Sequence, residues 1–114
     1  MRDFIKVMKA LSDPNRVKII KMLQHKNMCV CELREALQVS QPSVSKNLKI
    51  LEDAGLVDFR KDGLWVEYYL TDGNKSPYVA SLLGNLRHWM EDESEVEALI
   101  KRIPFIRREE VCKR

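Results

Sequence analysis

The sequence predicts a mainly α-helical α+β fold, a winged helix-turn-helix with dimerisation helices at its ends. Two helix patterns joined by residues 38–40 predict a helix-turn-helix at about residues 29–54. Two β-rich runs flank Asp62-Gly63, a dipeptide typical of two-residue hairpin turns, and predict a wing at about residues 56–70. Apolar stripes predict C-terminal helices at about residues 76–103. The 114 residues suit one domain, residues 1–114.

Two short helices are predicted before this unit. The first has apolar residues at helical spacing: Phe4, Ile5, Met8 and Leu11. Asp13 followed by Pro14 is typical of a helix start, with an N-cap and a proline in the first turn. The second helix therefore begins near Pro14 and buries Val17, Ile20 and Leu23.

The helix-turn-helix itself is predicted from capping residues and apolar spacing. The third helix is expected to begin near Met28 or Cys29, and Ser40 is expected to cap the fourth. Gly55 is a natural helix stop. The fourth helix has a buried stripe: Val44, Leu48 and Leu51.

The polar face of the fourth helix is a candidate surface for double-stranded operator DNA. Serine and lysine suit phosphates, and glutamine can pair with adenine edges in the major groove. The candidate DNA-binding residues are Gln41, Ser43, Ser45, Lys46 and Lys49, with Arg60 and Lys61 in the wing. A solvated polar face is the alternative, because a net charge of +3 does not by itself identify a DNA-binding protein. The fold pattern favours DNA.

The C-terminal part predicts two more helices. Ser76-Pro77 opens the fifth, and its apolar stripe from Val79 to Met90 is longer than a small domain needs, which predicts a subunit interface; a core within one chain is the alternative. Ser94 with Glu97 predicts a capping box for the last helix. The charged residues 107–114 are expected to be frayed.

The three cysteines are Cys29, Cys31 and Cys112. Such a sparse, odd set does not predict a disulfide framework. No apolar stretch resembles a signal peptide or a membrane span, so a cytoplasmic chain with reduced thiols and no membrane partner is expected. Thiolates are the preferred ligands of soft ions such as As(III), Sb(III), Cd(II) and Pb(II). Cys29 and Cys31 are therefore candidate ligands, with two incidental cysteines as the alternative.

The spacing of the pair has a mechanical consequence. Residues two apart on an ideal helix point roughly 200° apart. If Cys29 and Cys31 both bind one ion, the first turn of the third helix is expected to unwind. Cys112 is a candidate third ligand; a hydroxide, a small thiol or no third ligand are the alternatives. A disulfide within a Cys-x-Cys helix is geometrically poor, so a thiol-redox response would use Cys112 or unfold the helix.

The sequence does not predict an enzyme or a resident cofactor. Between Cys29 and Arg34 stand four residues, none of them glycine, whereas the phosphate-wrapping loop of thiol phosphatases needs five and glycine. No Walker loop or Ser-His-Asp set is present. A winged helix that binds only protein is a further alternative, which the exposed serines and lysines disfavour.

The ordered motifs resemble the ArsR/SmtB family of metal-responsive repressors, and the Cys-Val-Cys run resembles its arsenite- and antimonite-sensing branch. The matching segments include residues 11–16, 29–33, 40–45, 48–51, 54–57 and 63–70. The resemblance implies a homodimer built on the first and fifth helices, with operator binding in the apo state and release by the inducer. Arg34 stands where the branch often has a third cysteine, and Asn47 where histidine is common. The first helix lacks the cysteines of cadmium and lead sensors, which favours As(III) or Sb(III) over Cd(II) or Pb(II).

Overall fold

The computed structural model describes residues 1–112 as helices around a small sheet, and it confirms the winged helix-turn-helix. In chain order the elements are α1 Arg2–Ala10, α2 Pro14–Leu23, β1 Met28–Cys29, α3 Val30–Leu37, α4 Gln41–Asp53, β2 Val57–Asp62, β3 Trp65–Leu70, α5 Pro77–Leu86, α6 Ser94–Arg102, a 3-10 turn Ile103–Phe105 and α7 Arg108–Val111. The helix-turn-helix is α3 and α4, and the wing is the β2–β3 hairpin.

The predicted helix starts at Asp13 and Ser40 are confirmed. A carboxylate oxygen of Asp13 accepts a hydrogen bond from the backbone N–H of Arg16 at 3.1 Å. The hydroxyl of Ser40 accepts one from the backbone N–H of Ser43 at 3.3 Å. Each cap satisfies a backbone donor that has no partner inside the helix. Gln38 ends α3 in a left-handed conformation with φ of 58°, so the chain turns sharply into α4.

The third helix begins one residue after its expected start near Met28 or Cys29. Those two residues form β1, which pairs with Tyr68 and Glu67 of β3 in an antiparallel sheet of order β1-β3-β2. The extended backbone of Cys29 makes it the N-cap of α3, and the helix begins at Val30. The Cys-Val-Cys run therefore crosses from a strand into a helix.

The core lies between the helix-turn-helix and the helices on either side of it. Side chains from α2, α3 and α4 are fully buried there and pack against apolar residues of α5 and α6. The residues with no exposed area include Ile19, Ile20, Met22, Leu33, Val44, Leu48 and Leu51. Burial of this kind fixes the orientation of α4, because close-packed side chains allow little relative movement.

The fifth helix is shorter than its apolar stripe predicts. It ends at Leu86, and Met90 lies beyond it with a positive φ of 64°. The buried ammonium of Lys21 donates to the carbonyl oxygens of Leu86 and Trp89 at 2.6 and 2.9 Å. These bonds satisfy carbonyls at the helix end. Val79, Leu83 and Leu86 are buried in the core of their own chain, so this part of the stripe packs within the chain.

Two further expectations for the C-terminal part are wrong. Glu93, not Ser94, is the N-cap of α6, and it makes no side-chain capping bond. Residues 107–112 are not frayed, because α7 packs against α3 and Cys112 is only 6% exposed. Residues 113 and 114, which completed the segment expected to be frayed, lie outside the described residues. Among residues 1–112, no helix is both long and apolar enough to cross a membrane.

Candidate thiol site and DNA-reading surface

The structure joins Cys31 to Cys112 as a disulfide. The bond connects residues 81 apart in sequence, with 5.4 Å between their Cα atoms. Cys31 is the second residue of α3, and Cys112 follows the last residue of α7. The expected reduced thiols therefore differ from the state in the structure. The bond fastens the C-terminal segment to the first turn of α3.

Cys29 is the free cysteine among the described residues, and it is buried with 4% of its surface exposed. Burial raises the pKa of its thiol to about 11; nearby Glu32 adds to this rise, while Arg108 opposes it. Its backbone N–H donates to a carboxylate oxygen of Glu32 at 2.8 Å. This bond caps the start of α3 and holds Cys29 in place beside Cys31.

One open cleft brings the three cysteines together. It encloses about 880 Å³ and is lined by Cys29, Cys31 and Cys112 together with Trp65 of β3 and Gln41 of α4. Gln41 is the first residue of α4, which carries the candidate DNA-binding face, so the thiols share a cleft with that helix. Within residues 1–112, no three histidine, cysteine or acidic side chains are arranged to hold a metal ion.

The unwinding expected for the first turn of α3 assumed that Cys29 and Cys31 both lie on a helix. In the structure Cys29 belongs to β1 and caps the helix. The angle between helical side chains therefore does not apply to this pair. Cys31 already meets Cys112 with the first turn of α3 intact.

Arg108 is a residue of this region that sequence reasoning missed. Its guanidinium forms ion pairs with Glu32, Asp62 and Glu67 at 3.1, 3.2 and 3.2 Å. These partners belong to α3, β2 and β3. The three acids lie 41 to 76 residues from Arg108 in sequence, so no local sequence pattern could reveal these ion pairs.

The candidate DNA-binding face of α4 is mostly exposed, with a buried stripe behind it. Gln41, Ser45, Lys46 and Lys49 are exposed, while Ser43 is half-buried at the first turn. Lys49 forms an ion pair with Asp53 one turn later at 3.3 Å. The hydrogen bond that the Lys49 ammonium donates to the Asp53 carboxylate raises the pKa of that ammonium. Lys46 is therefore better placed than Lys49 to offer its full charge to a phosphate.

Arg60 and Lys61 lie on opposite faces of the wing, because successive strand residues alternate. Arg60 is opposite Glu67 in the ladder and donates to its carboxylate at 3.0 Å. Lys61 is opposite Val66 on the other face. The two basic residues were predicted as one group, but the hairpin separates them, and Arg60 is held by an acid.

Asn47 is buried, with 8% of its surface exposed. Its position on the inner face of α4 makes it a packing residue rather than a residue of the exposed face.

Comparisons with known proteins agree with this architecture. The family model "Bacterial regulatory protein, arsR family" matches residues 13–58, from the start of α2 into β2. The arsenical resistance operon repressor of Escherichia coli K12 is 32% identical over 102 residues, which are 87% of this chain and 83% of that protein.

Two solved structures share the fold. HlyU from Vibrio cholerae N16961 has a TM-score of 0.65 at 29% identity, covering 78% of this chain and 92% of that one. The homodimeric winged helix-turn-helix DNA-binding domain of Mb0332 from Mycobacterium bovis has a TM-score of 0.63 at 26% identity, covering 75% and 76%. Since one relative matches nearly the whole chain, and the family model covers the helix-turn-helix, the chain belongs to the arsR family of DNA-binding transcriptional regulators and is not an enzyme.

Proposed function

We propose that this chain is a dimeric repressor that leaves its operator when As(III) or Sb(III) binds to its cysteines. The observation that carries the proposal is the meeting of Cys31 and Cys112 in a cleft that Cys29 also lines. These metalloids prefer soft thiolate ligands. The similarity to an arsenical resistance operon repressor supports the choice of inducer.

Once the thiols are reduced, arsenite binds to them without any further reactant. Arsenite is As(OH)3 at neutral pH. Each thiol that binds arsenic replaces one hydroxyl, which leaves as water with the thiol proton. Three such steps give an AsS3 site from Cys29, Cys31 and Cys112. A small thiol opens the Cys31–Cys112 bond beforehand: two thiols supply two electrons and two protons and leave as their own disulfide.

The cleft provides a route from the thiols to DNA binding. Cys31 lies in α3, which packs directly on α4, and Gln41 at the start of α4 lines the same cleft. Once the disulfide is reduced, an arsenic atom that binds both Cys31 and Cys112 imposes a new distance between their sulfur atoms. The first turn of α3 then shifts against α4 and moves Gln41, Lys46 and their neighbours away from the grooves they read.

A homodimer through α1 and α5 is part of the proposal. Phe4, Ile5 and Tyr78 leave 38%, 40% and 40% of their surfaces exposed. The rings of Phe4 and Tyr78 lie edge to face with centroids 5.3 Å apart. They form one apolar patch across the two helices. The similar domain of Mb0332 is described as homodimeric, and two copies of α4 allow two operator half-sites to be read.

The Cd(II)- and Pb(II)-responsive alternative has less support. The segment of α1, Arg2–Ala10, contains no cysteine that could add a ligand to the cleft. Three thiols suit the three-coordinate pyramid of As(III), whereas a tetrahedral Cd(II) site would require a fourth ligand.

A thiol-redox response is the second candidate, and the disulfide between Cys31 and Cys112 favours it. In this case a small-molecule disulfide accepts two electrons and two protons from the thiols and leaves as two small thiols. The protein then cycles between a dithiol and the bonded form seen here. Cys29 takes no part in that exchange, so the two candidates differ in the role of Cys29.

The deciding experiment measures operator binding by the reduced protein with arsenite and, separately, with oxidised glutathione. Under the metalloid proposal, arsenite releases the wild type, whereas Cys29→Ser and Cys31→Ser each lose most of that response. Under the redox alternative, oxidised glutathione releases the wild type and Cys29→Ser alike, and only Cys31→Ser and Cys112→Ser are unresponsive. Release of a Cys29→Ser/Cys31→Ser double variant by arsenite would refute the proposed site.

The number of ligands has its own test. X-ray absorption on the arsenite complex is expected to show three sulfur neighbours in the wild type and two in Cys112→Ser. An unchanged sulfur count would exclude Cys112 as a ligand.

The DNA-reading surface is tested by charge removal. Lys46→Ala is expected to weaken operator binding and to lower the slope of log affinity against log salt by about one, because one phosphate contact is lost. Lys101→Ala, which removes an exposed lysine from α6, is the control. Equal slopes for the two variants would place the contact surface elsewhere.

A further inference from the structure

We propose that Arg108 is the positioning residue through which the state of Cys112 is transmitted to the wing. The inference rests on the proposed thiol site and adds the path by which that site controls DNA binding. Arg108 is neither a thiol nor a member of the candidate DNA surface. Arg108 lies between the thiol site and the wing, and its contacts connect these two regions.

The short helix α7 connects Arg108 rigidly to Cys112. Arg108 is its first residue, and Cys112 directly follows its last. The backbone N–H of Cys112 donates to the carbonyl of Arg108 at 2.9 Å, which closes one helical turn. A single hydrogen-bonded turn of this size moves as one rigid unit. A change in the position of the Cys112 sulfur therefore moves the base of the Arg108 side chain with it.

The guanidinium of Arg108 spans three elements at once. Its Nε donates to Glu32 of α3, Nη1 to Asp62 at the end of β2, and Nη2 to Glu67 of β3. The side chain is 16% exposed, Glu32 only 2% and Glu67 only 11%. The planar fork of arginine suits such simultaneous contacts, whereas the single ammonium of lysine does not.

The wing carries two of these acids on one face. Asp62 and Glu67 lie on the same side of the hairpin as Arg60, given the alternation of the strands. One carboxylate oxygen of Glu67 binds Arg60 at 3.0 Å, and the other binds Arg108 at 3.2 Å. Displacing Arg108 leaves Glu67 with Arg60 and Asn27 as partners and leaves Asp62 without this cation. The charge and the position of the wing then change together.

The low solvent exposure of Glu32 and Glu67 strengthens their ion pairs with Arg108. Partly buried ion pairs are screened by salt much less than surface pairs, and a partly buried acid that loses one of its two cations is driven towards water. Moving Glu67 moves β3, the central strand that pairs with both other strands. The wing is therefore not able to keep its present orientation once α7 shifts.

The test compares Arg108→Gln with Arg107→Gln. Arg107 precedes α7, carries the same charge and is exposed, and within residues 1–112 its ion pair is with Glu110. For each reduced variant, operator affinity is measured with and without arsenite, and bound arsenite per chain is measured by titration. Fluorescence of Trp65, which lines the cleft, is recorded in a Trp89→Phe background to follow the wing.

Wild type and Arg107→Gln are expected to lose operator affinity by about 5- to 150-fold with arsenite, the usual range for coupled sites. Arg108→Gln is expected to bind arsenite with the same stoichiometry and affinity, yet to show at most about a third of that fold-change. The Trp65 signal of Arg108→Gln is expected to stay constant during the titration. Arg108→Lys restores part of the response, because it keeps one charged contact.

Asp62→Asn provides a second variant that does not threaten the fold, since the Asp62 side chain is 62% exposed. It removes one wing contact of Arg108 and is expected to reduce the arsenite response about two-fold or more. A full response in both Arg108→Gln and Asp62→Asn, with wild type responding, would overturn this inference and leave the thiol proposal intact. Absence of a response in the wild type would overturn both.

Discussion

Arg16 and Asn47 join α2 to α4, the proposed DNA-reading helix, through a hydrogen bond from Nη1 to Oδ1 of 3.1 Å. The same guanidinium donates from Nε to the carbonyl of Ala10 at 2.7 Å and from Nη2 to the carbonyl of Lys9 at 3.1 Å. These bonds run from the end of α1 to the middle of α4. They hold the end of α1, the proposed dimer helix, against α4, the proposed DNA-reading helix.

Asn47→Ala is expected to lower the free energy of unfolding by about 1–2 kcal/mol, because hydrogen bonds to charged groups contribute about 1.5–3 kcal/mol and alanine recovers part through helix propensity. Operator affinity is expected to fall as well, since α4 loses an anchor. Urea unfolding and fluorescence anisotropy with labelled operator measure the two effects.

A double-mutant cycle with Arg16→Ala provides the control for that prediction. If the bond carries the effect, the loss in the double variant is smaller than the sum of the two single losses. Strictly additive losses would mean that Asn47 acts without Arg16.

The local signals in the sequence predicted much of the fold. Asp13 and Ser40 begin helices because a side chain and a backbone N–H three residues later satisfy each other. Gly63 marks the hairpin because its φ of 64° is costly for other residues. Such features depend on neighbours in sequence, and these predictions are confirmed.

The features that were missed depend on distant partners. The two-residue strand at Met28 exists because β3, about 40 residues later, pairs with it. The end of α5 at Leu86 carries no glycine signal and is held by Lys21. α7 is ordered by the partners of Arg108 and Cys112, which lie in earlier elements. Cys112 could be named as a candidate ligand from the sequence, but its place beside Cys31 could not be derived.

Asp53→Asn is expected to strengthen operator binding by roughly two- to five-fold at low salt, the modest scale of an exposed ion pair. The change removes the partner of Lys49, whose ammonium is 3.3 Å from Asp53, and it also removes a negative charge from the DNA-reading helix. The gain should shrink at high salt, because exposed charges are screened. Asp92→Asn, an exposed acid outside α4, is the matched control, and equal gains in both variants would exclude a specific role for Lys49.

Ile5→Lys is expected to dissociate the proposed dimer, because it places a charge in the apolar patch formed with Phe4 and Tyr78. Analytical ultracentrifugation should show the mass of one chain, and operator affinity should fall with the loss of the second half-site. Phe105→Lys is the control, since Phe105 is 82% exposed and lies outside α1 and α5. A dimer that survives Ile5→Lys would assign the interface to other helices.

The wing is expected to lose stability in acid through Glu67. Burial alone would raise the pKa of this carboxyl, but hydrogen bonds from Arg60, Arg108 and Asn27 outweigh burial and lower it. The unfolded chain has an ordinary glutamate pKa near 4.3. The native state therefore binds the proton more weakly, so this contribution is complete above the unfolded pKa and is lost as pH falls through the folded one.

Urea unfolding between pH 3 and 7 measures the effect of Glu67. Glu67→Gln should be less stable than wild type at pH 7, and the difference should narrow as the pH falls. Glu109→Gln, an exposed acid in α7, should follow the wild-type curve. Arg108 contributes to the lowered pKa of Glu67, so Arg108→Gln should weaken the pH dependence of the free energy of unfolding in part. The double variant Arg108→Gln/Glu67→Gln should weaken that dependence further. Parallel curves of unfolding free energy against pH for wild type and Glu67→Gln would show that Arg60 and Arg108 do not stabilise the ionised carboxylate. Other contacts would then hold the wing in place.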